Sequence, residues 1–162
     1  MLLNISRFCQ LFTTGLFTGL LFGDRVGVTP IRAKLPASTF ILLQQEIHLT
    51  FSKVMPVLLG LSLLSGVVSL ILLRRESRTQ LFIFTALATL CVLVVIVLTR
   101  VVNVPINDAL MTWNATAPPS NLAELWAPWE KVHTIRTVLS LVGFACLVFP
   151  STNRPLRTTS YY

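Results

Sequence analysis

A chain of 162 residues and 18.0 kDa has room for one domain. Hydrophobic residues make up 54% of it and charged residues only 12%, with a mean hydropathy of +0.76, which excludes a disordered tail, a coiled coil and an ordinary cytosolic enzyme. The net charge of +7 does not point to nucleic acid, because the basic residues fall between apolar runs rather than on one exposed face.

Four charge-free stretches, 8–23, 54–73, 79–99 and 137–153, predict an all-α, integral membrane four-helix bundle in up-down-up-down order. It fills 1–162 as a single transmembrane domain. The first and fourth stretches need one more turn, so the spans are expected at about 8–28, 54–73, 79–100 and 132–150. Arg7 precedes the first run as it would in a signal peptide, but no small-x-small cleavage site follows, and the run is expected to stay. Gly15, Gly19, Gly23 and Gly27 recur every four residues there and predict a groove against another helix backbone.

The second helix is expected to begin well before its span, at the Pro36-Ala37-Ser38-Thr39 break, and to carry Pro56 as a kink. The third runs on past Thr99 towards Pro105, with a bend or restart near Val104. Helices 2 and 3 thus extend beyond the membrane on one side. Thr116 to Asn121, holding Pro118 and Pro119, is the clearest loop, and a short amphipathic piece over 122–131 leads into the fourth span. Cys9, Cys91 and Cys146 each sit in an apolar run with no C-x-x-C spacing, which argues against a disulfide framework or a zinc site.

One face of the bundle holds Arg7, the tight turn Arg74-Arg75-Glu76-Ser77-Arg78, Arg154 and Arg157. Short arginine-rich turns close to their spans stay in the cytoplasm, so both termini are expected there. Asn114-Ala115-Thr116 then forms a glycosylation sequon on the far side, for a eukaryotic source.

Up-down order brings the end of helix 1, the start of helix 2, the end of helix 3 and the start of helix 4 to one face. The unusual polar residues collect at those four places, among them Asp24, Arg25, Gln45, Lys53 and Asp108. His133, Arg136, Thr137 and Ser140 stand at i, i+3, i+4 and i+7, one helical stripe. Arg100, Asn103 and Asn107 repeat much of that spacing, and Gln44 and His48 are four apart. Polar groups at membrane depth are costly and turn towards one another or towards a wet cavity. The stripes therefore predict a pocket lined by two imidazoles, amides and two guanidinium groups, with Trp129 as a wall. Trp113 and Trp126 flank the same boundary, where tryptophan commonly anchors a helix. No metal-binding, nucleophile-elbow or phosphate-loop motif is present.

The glycine-rich start with Pro30, the Leu43-Gln44-Gln45, His48, Phe51, Met55-Pro56 series, and Asn103-Val104-Pro105-Ile106-Asn107-Asp108 form a pattern. It continues in Trp126-Ala127-Pro128-Trp129 and His133-Thr134-Ile135-Arg136-Thr137. Over about residues 10–149 the chain resembles the anthrone oxygenase-like family of small four-span membrane proteins, much of it filed as a domain of unknown function. Val132 stands where many members have asparagine.

The resemblance implies a membrane monooxygenase of polyketide biosynthesis, in secondary metabolism, that converts an anthrone to an anthraquinone with O₂ and without metal or flavin. Its partners are then the bilayer, a hydrophobic aromatic substrate and O₂; a homo-oligomer stays open, and the endoplasmic reticulum fits a fungal pathway. On this reading His133 or His48 is the base, with Arg136 as the second catalytic group. Gln44, Asn103, Asn107, Trp129 and Thr137 bind the substrate. Two other readings stay open: a haem protein with His48 and His133 as opposing ligands, and a non-enzymatic tetraspan protein in which the stripes are packing.

Overall fold

The proline break at Pro36, the arginine turn and the proline-rich loop divide the described residues into four helices. The computed structural model describes residues 1–76 and 78–152. Helix α1 is Leu2–Arg32, α2 is Ala37–Leu73, α3 is Thr79–Leu110 and α4 is Leu122–Thr152. All four are long and apolar enough to cross a membrane, and no strand occurs among the described residues. Arg154 and Arg157, counted with the flanking arginines, lie outside the described residues, as does Ser77.

Two helices change pitch instead of breaking. Asp24–Val28 in α1 and Thr99–Asn103 in α3 are π turns, and Pro30 and Pro105 follow each by two residues. A proline lacks the N–H of the helical ladder and its ring presses on the carbonyl four residues back. The wider turn absorbs that conflict. Thr29 N–H bonds back to the Asp24 carbonyl and Val104 N–H to that of Thr99, and the helix continues. The bend expected near Val104 is taken up in this way: Val104 keeps a right-handed helical conformation at φ −61° and ψ −50°.

Side-chain pairs give the helix order. Ser69 on α2 donates to Ser6 on α1 at 3.0 Å, and Thr14 meets Ser62 at 2.6 Å, so α1 and α2 run antiparallel. Thr18 donates to the Ser140 carbonyl at 3.2 Å, and Arg32 reaches Glu130 at 2.8 Å, so α1 and α4 do the same. Antiparallel neighbours are consistent with the up-down order. Phe17, Leu21, Leu59, Val92 and Val95 form the mid-bundle core. A second cluster nearer the α1–α2 connection joins Phe40, Ile41, Leu110, Trp126 and Trp129. Gln45 pins α2 to the end of α3 by donating to the carbonyls of Leu110 at 3.0 Å, which also accepts the Trp113 N–H, and Trp113 at 3.1 Å.

The expected glycine groove is not formed. A side-chain carbon at Gly15 would meet the Phe144 ring, whereas at Gly19, Gly23 and Gly27 it would meet nothing within 4 Å. The bundle-facing stripe of α1 is instead Ser6, Gln10, Thr13, Thr14, Phe17, Thr18 and Leu21. Interhelical hydrogen bonds decide which face turns inward, and Gly19, Gly23 and Gly27 lie on the other. The tightest glycine is Gly66, where a side-chain carbon would fall on the Gln10–Thr89 hydrogen bond, and another helix's backbone comes near at Gly143, which faces Ala88.

Candidate functional site

A cavity of about 360 Å³ opens between the two apolar clusters. Leu21 and Leu59 bound it on one side and Trp129 on the other, while Phe51, Met55 and Val104 add apolar wall. Its polar wall comes from all four helices: Asp24 of α1, Gln44 and His48 of α2, Thr99 and Asn107 of α3, and His133 and Arg136 of α4.

The α4 stripe folds inward as its spacing requires, and His133, Arg136, Thr137 and Ser140 are all buried. The ring of His133 stacks on Trp129 at 4.9 Å between centroids, and Trp129 stacks on Trp126 at 4.5 Å. Asn107 fixes this aromatic wall by accepting the Trp129 indole N–H at 2.8 Å. His133 Nδ1 lies 3.3 Å from Arg136 Nη2, and Nε2 lies 3.0 Å from Asp24 Oδ2. A guanidinium only donates, so Nδ1 is the acceptor and the neutral ring carries its proton on Nε2, facing the carboxylate. That second contact is close but poorly aligned, and Nε2 has no well-formed hydrogen bond.

Arg136 donates to the Thr99 hydroxyl at 2.9 Å, while its Nε–H has no acceptor. Among the described residues no carboxylate forms an ion pair with it. It is 6% exposed.

The other buried guanidinium is fully matched. Arg32 donates to Asp24 at 3.3 Å, Glu130 at 2.8 Å, Gln44 at 2.8 Å and Thr29 at 3.0 Å. Glu130 also accepts the Trp126 indole N–H at 3.0 Å. Arg32 lies 5.1 Å from the Trp129 ring centre, within range of a cation–π attraction. One side chain therefore ties the ends of α1, α2 and α4 together behind the cavity.

The structure brings most of the sequence-predicted residues together. His133, Arg136, His48, Gln44, Asn107 and Trp129 line the cavity. Asn103 and Thr137 are buried but do not line it. The Thr137 hydroxyl bonds back to the His133 carbonyl at 2.8 Å, a usual resting place for threonine inside a helix. Asn103 Nδ2 points to the Trp129 carbonyl at 3.4 Å, and its Oδ1 is unpartnered. Arg100 reaches the rim as an exposed side chain. The contacts that spacing missed are Arg32, Glu130 and Thr99. Arg32 reads as one more flanking cation beside Lys34; its eight-residue distance from Asp24 on a single helix was the available clue.

Among the described residues no three His, Cys, Asp or Glu side chains converge in a way that could hold a metal ion.

No curated protein and no solved structure matches the chain. A family model described as anthrone oxygenase matches residues 47–146, from just before His48 through the whole His133–Ser140 stripe. The match covers more than half of the sequence and every wall of the cavity except those of α1 and Gln44; the chain belongs to the anthrone oxygenase family.

Proposed function

We propose that the chain is a membrane oxygenase that converts an anthrone-type aromatic polyketide to an anthraquinone with O₂. The observation that carries this reading is Arg136: a buried cation on the cavity wall, with no carboxylate partner and an unused Nε–H. A buried charge with no carboxylate in contact, Asp24 acting on it only from a distance, is costly and favours an anion arriving in the site. The anthrone methylene lies between two aryl rings and opposite a ketone, so its removal as a proton gives a delocalised phenolate-like anion. Such an anion is the partner that the guanidinium lacks.

His133 Nδ1 takes the methylene proton as Arg136 shifts its Nη2 from that nitrogen to the substrate oxygen. A neutral imidazole is a suitable base for this step. The electron-rich anion then reacts with O₂ at the same carbon, giving a hydroperoxide once a proton returns. Loss of water, with the remaining C–H proton and cleavage of the O–O bond, leaves the second carbonyl. One O₂ is consumed and one water is formed, so the balance needs no further reductant or cofactor. Phe51, Met55, Leu59 and Trp129 offer the apolar slot for a flat ring, and about 360 Å³ falls in the range of small-molecule pockets, about 300–1,000 Å³.

The short arginine turn between α2 and α3 supports cytoplasmic termini, which puts the cavity at the opposite face. In a eukaryotic endoplasmic reticulum the exposed Asn114 would then face the lumen. Its side-chain Oδ1 accepts from the N–H and the hydroxyl of Thr116 at 2.9 Å each. The bis-histidine haem reading finds no support in the geometry, because Nδ1 of His133 takes Arg136 and Nε2 lies against Asp24.

The test is turnover by detergent-purified protein, mixed with an anthrone under nitrogen and then given O₂, with anthraquinone absorbance as the readout. The expected rate exceeds spontaneous oxidation, is insensitive to chelator and is lost in Arg136→Gln. A rate no greater than background overturns the reading and favours the non-enzymatic tetraspan one; a Soret band in the resting spectrum favours the haem.

A further inference from the structure

We infer that Asp24 is a positioning residue that acts through His133, and that Arg32 fixes Asp24 for this role. The inference rests on the proposed anthrone oxidation. Asp24 lies outside the segment that carries the family match.

A histidine can take the substrate proton at Nδ1 only while its own proton sits on Nε2. Arg136 favours that tautomer in the empty site, but the same guanidinium is needed at the substrate oxygen once the reaction begins. Something else must then hold the ring. Asp24 Oδ2, 3.0 Å from Nε2, is an acceptor without a proton to donate, so it selects the Nε2–H form independently of Arg136. It also balances the imidazolium formed when Nδ1 takes the proton. The same division of labour, a buried carboxylate behind a histidine base, operates in serine proteases. The present misalignment of the contact is typical of catalytic hydrogen bonds before substrate arrives.

The carboxylate is a poor base in its own right, because Arg32 reaches both of its oxygens, at 3.3 and 3.4 Å. Glu130, Gln44 and Thr29 occupy the rest of that guanidinium. The π turn that begins at Asp24 sets the side chain's direction. Asp24 is therefore held by α1, α2 and α4 together, in contact with His133 at 3.0 Å.

Asp24→Asn separates the roles. Arg32 donors take the amide oxygen, which turns the amide NH₂ towards Nε2 and favours the wrong tautomer. Purified protein carrying ¹⁵N-labelled histidine reports the proton's position by NMR in detergent, and His48→Gln assigns the signals. The wild type is expected to show Nε2–H, and Asp24→Asn to move the proton to Nδ1, most fully in an Arg136→Met background where no guanidinium donates to Nδ1. Its kcat should fall by about 10²- to 10⁴-fold with little change in KM. Asp24→Glu should restore the tautomer and part of the rate.

A wild-type proton on Nδ1 overturns the inference even if Asp24→Asn does not fold. So does an Asp24→Asn protein with the wild-type tautomer and rate. Absence of anthrone turnover in the wild type defeats the proposed reaction instead, and the NMR result still decides whether Asp24 sets the ring.

Discussion

Arg32 Nη2 and Glu130 Oε1 are 2.8 Å apart, joining the last turn of α1 to the first turns of α4. The pair sits behind the cavity wall, where Arg32 is 1% exposed. Asp24 shares that guanidinium and faces His133, while Glu130 shares its carboxylate with Trp126, so both the imidazole and the aromatic wall depend on one cation. Arg136 stands opposite in character. It has no carboxylate in contact, and its position on the cavity wall turns that deficit towards whatever enters. One arginine holds the site and the other is available to a ligand.

Replacing Arg32 by methionine should therefore unfold the bundle more readily. Removing one partner of a fully buried ion pair costs about 3–5 kcal/mol, and the partial exposure of Asp24 and Glu130, 17% and 28%, places the cost of each pair below that. Here two carboxylates, Asp24 and Glu130, lose their partner together. Arg32→Lys should rescue only part of this, since a single ammonium cannot fork to Asp24, Glu130 and Gln44 at once. Thermal unfolding in detergent, followed by circular dichroism, checks the order wild type, lysine, methionine. A methionine variant as stable as the wild type would show that the cluster is not a structural tie.

Arg136→Met is expected to behave in the opposite way. A buried cation with no carboxylate partner contributes little net stability, so its Tm should stay near that of the wild type or rise. Turnover should nevertheless drop by about 10²- to 10³-fold, the scale of a lost oxyanion donor. Paired measurement of Tm and anthraquinone formation separates this from a folding defect. A large fall in Tm would mean that the contacts to Thr99 and His133 hold α4 in place.

Which parts of this were legible beforehand follows from where periodicity survives. His133, Arg136, Thr137 and Ser140 keep ordinary helical spacing, and all four turn inward. In α3 the expected stripe ran through Arg100, but the π turn at Thr99–Asn103 adds a residue to that turn and rotates the register. Thr99 meets Arg136, and Arg100 is left at the rim. Arg32 and Glu130 stand 98 positions apart, so no local pattern pairs them. Fold class was clear from four apolar runs, because apolar length is a local property. The direction of the glycine face was not, since it depends on which side of α1 finds hydrogen-bond partners.

Trp129 carries a smaller, separable effect. Trp129→Phe keeps an aromatic face against His133 but loses the indole N–H held by Asn107 at 2.8 Å. A lost hydrogen bond of this kind costs about 1 kcal/mol of fold stability, so Tm should fall slightly, while KM for the anthrone, which still meets an aromatic face, should change little. Trp129→Ala also removes the stack, worth about 0.5–1.5 kcal/mol more, and opens the cavity wall. Steady-state kinetics on both variants gives the order. Equal KM values for phenylalanine and alanine would mean that the ring is not a substrate wall.

Gly66 offers the sharpest packing test because the sequence drew attention to other glycines. A side-chain carbon there would lie 2.5 Å from Thr89 Oγ1 and 2.6 Å from Gln10 Nε2, in the middle of their 3.0 Å hydrogen bond. Thr89 already donates to the Thr85 carbonyl at 2.7 Å, so its oxygen is the acceptor for Gln10 and cannot swing away without loss. Gly66→Ala should thus force α2 outward or break the bond, at about 1–3 kcal/mol for overpacking. Gly19→Ala and Gly23→Ala meet open space, and alanine favours the helix by about 1 kcal/mol, so both should be neutral or stabilising. Thermal melts of the three single variants in one detergent compare them directly. If Gly19→Ala destabilises as much as Gly66→Ala, the outward glycine face is packed against a second copy of the chain or another partner in the micelle.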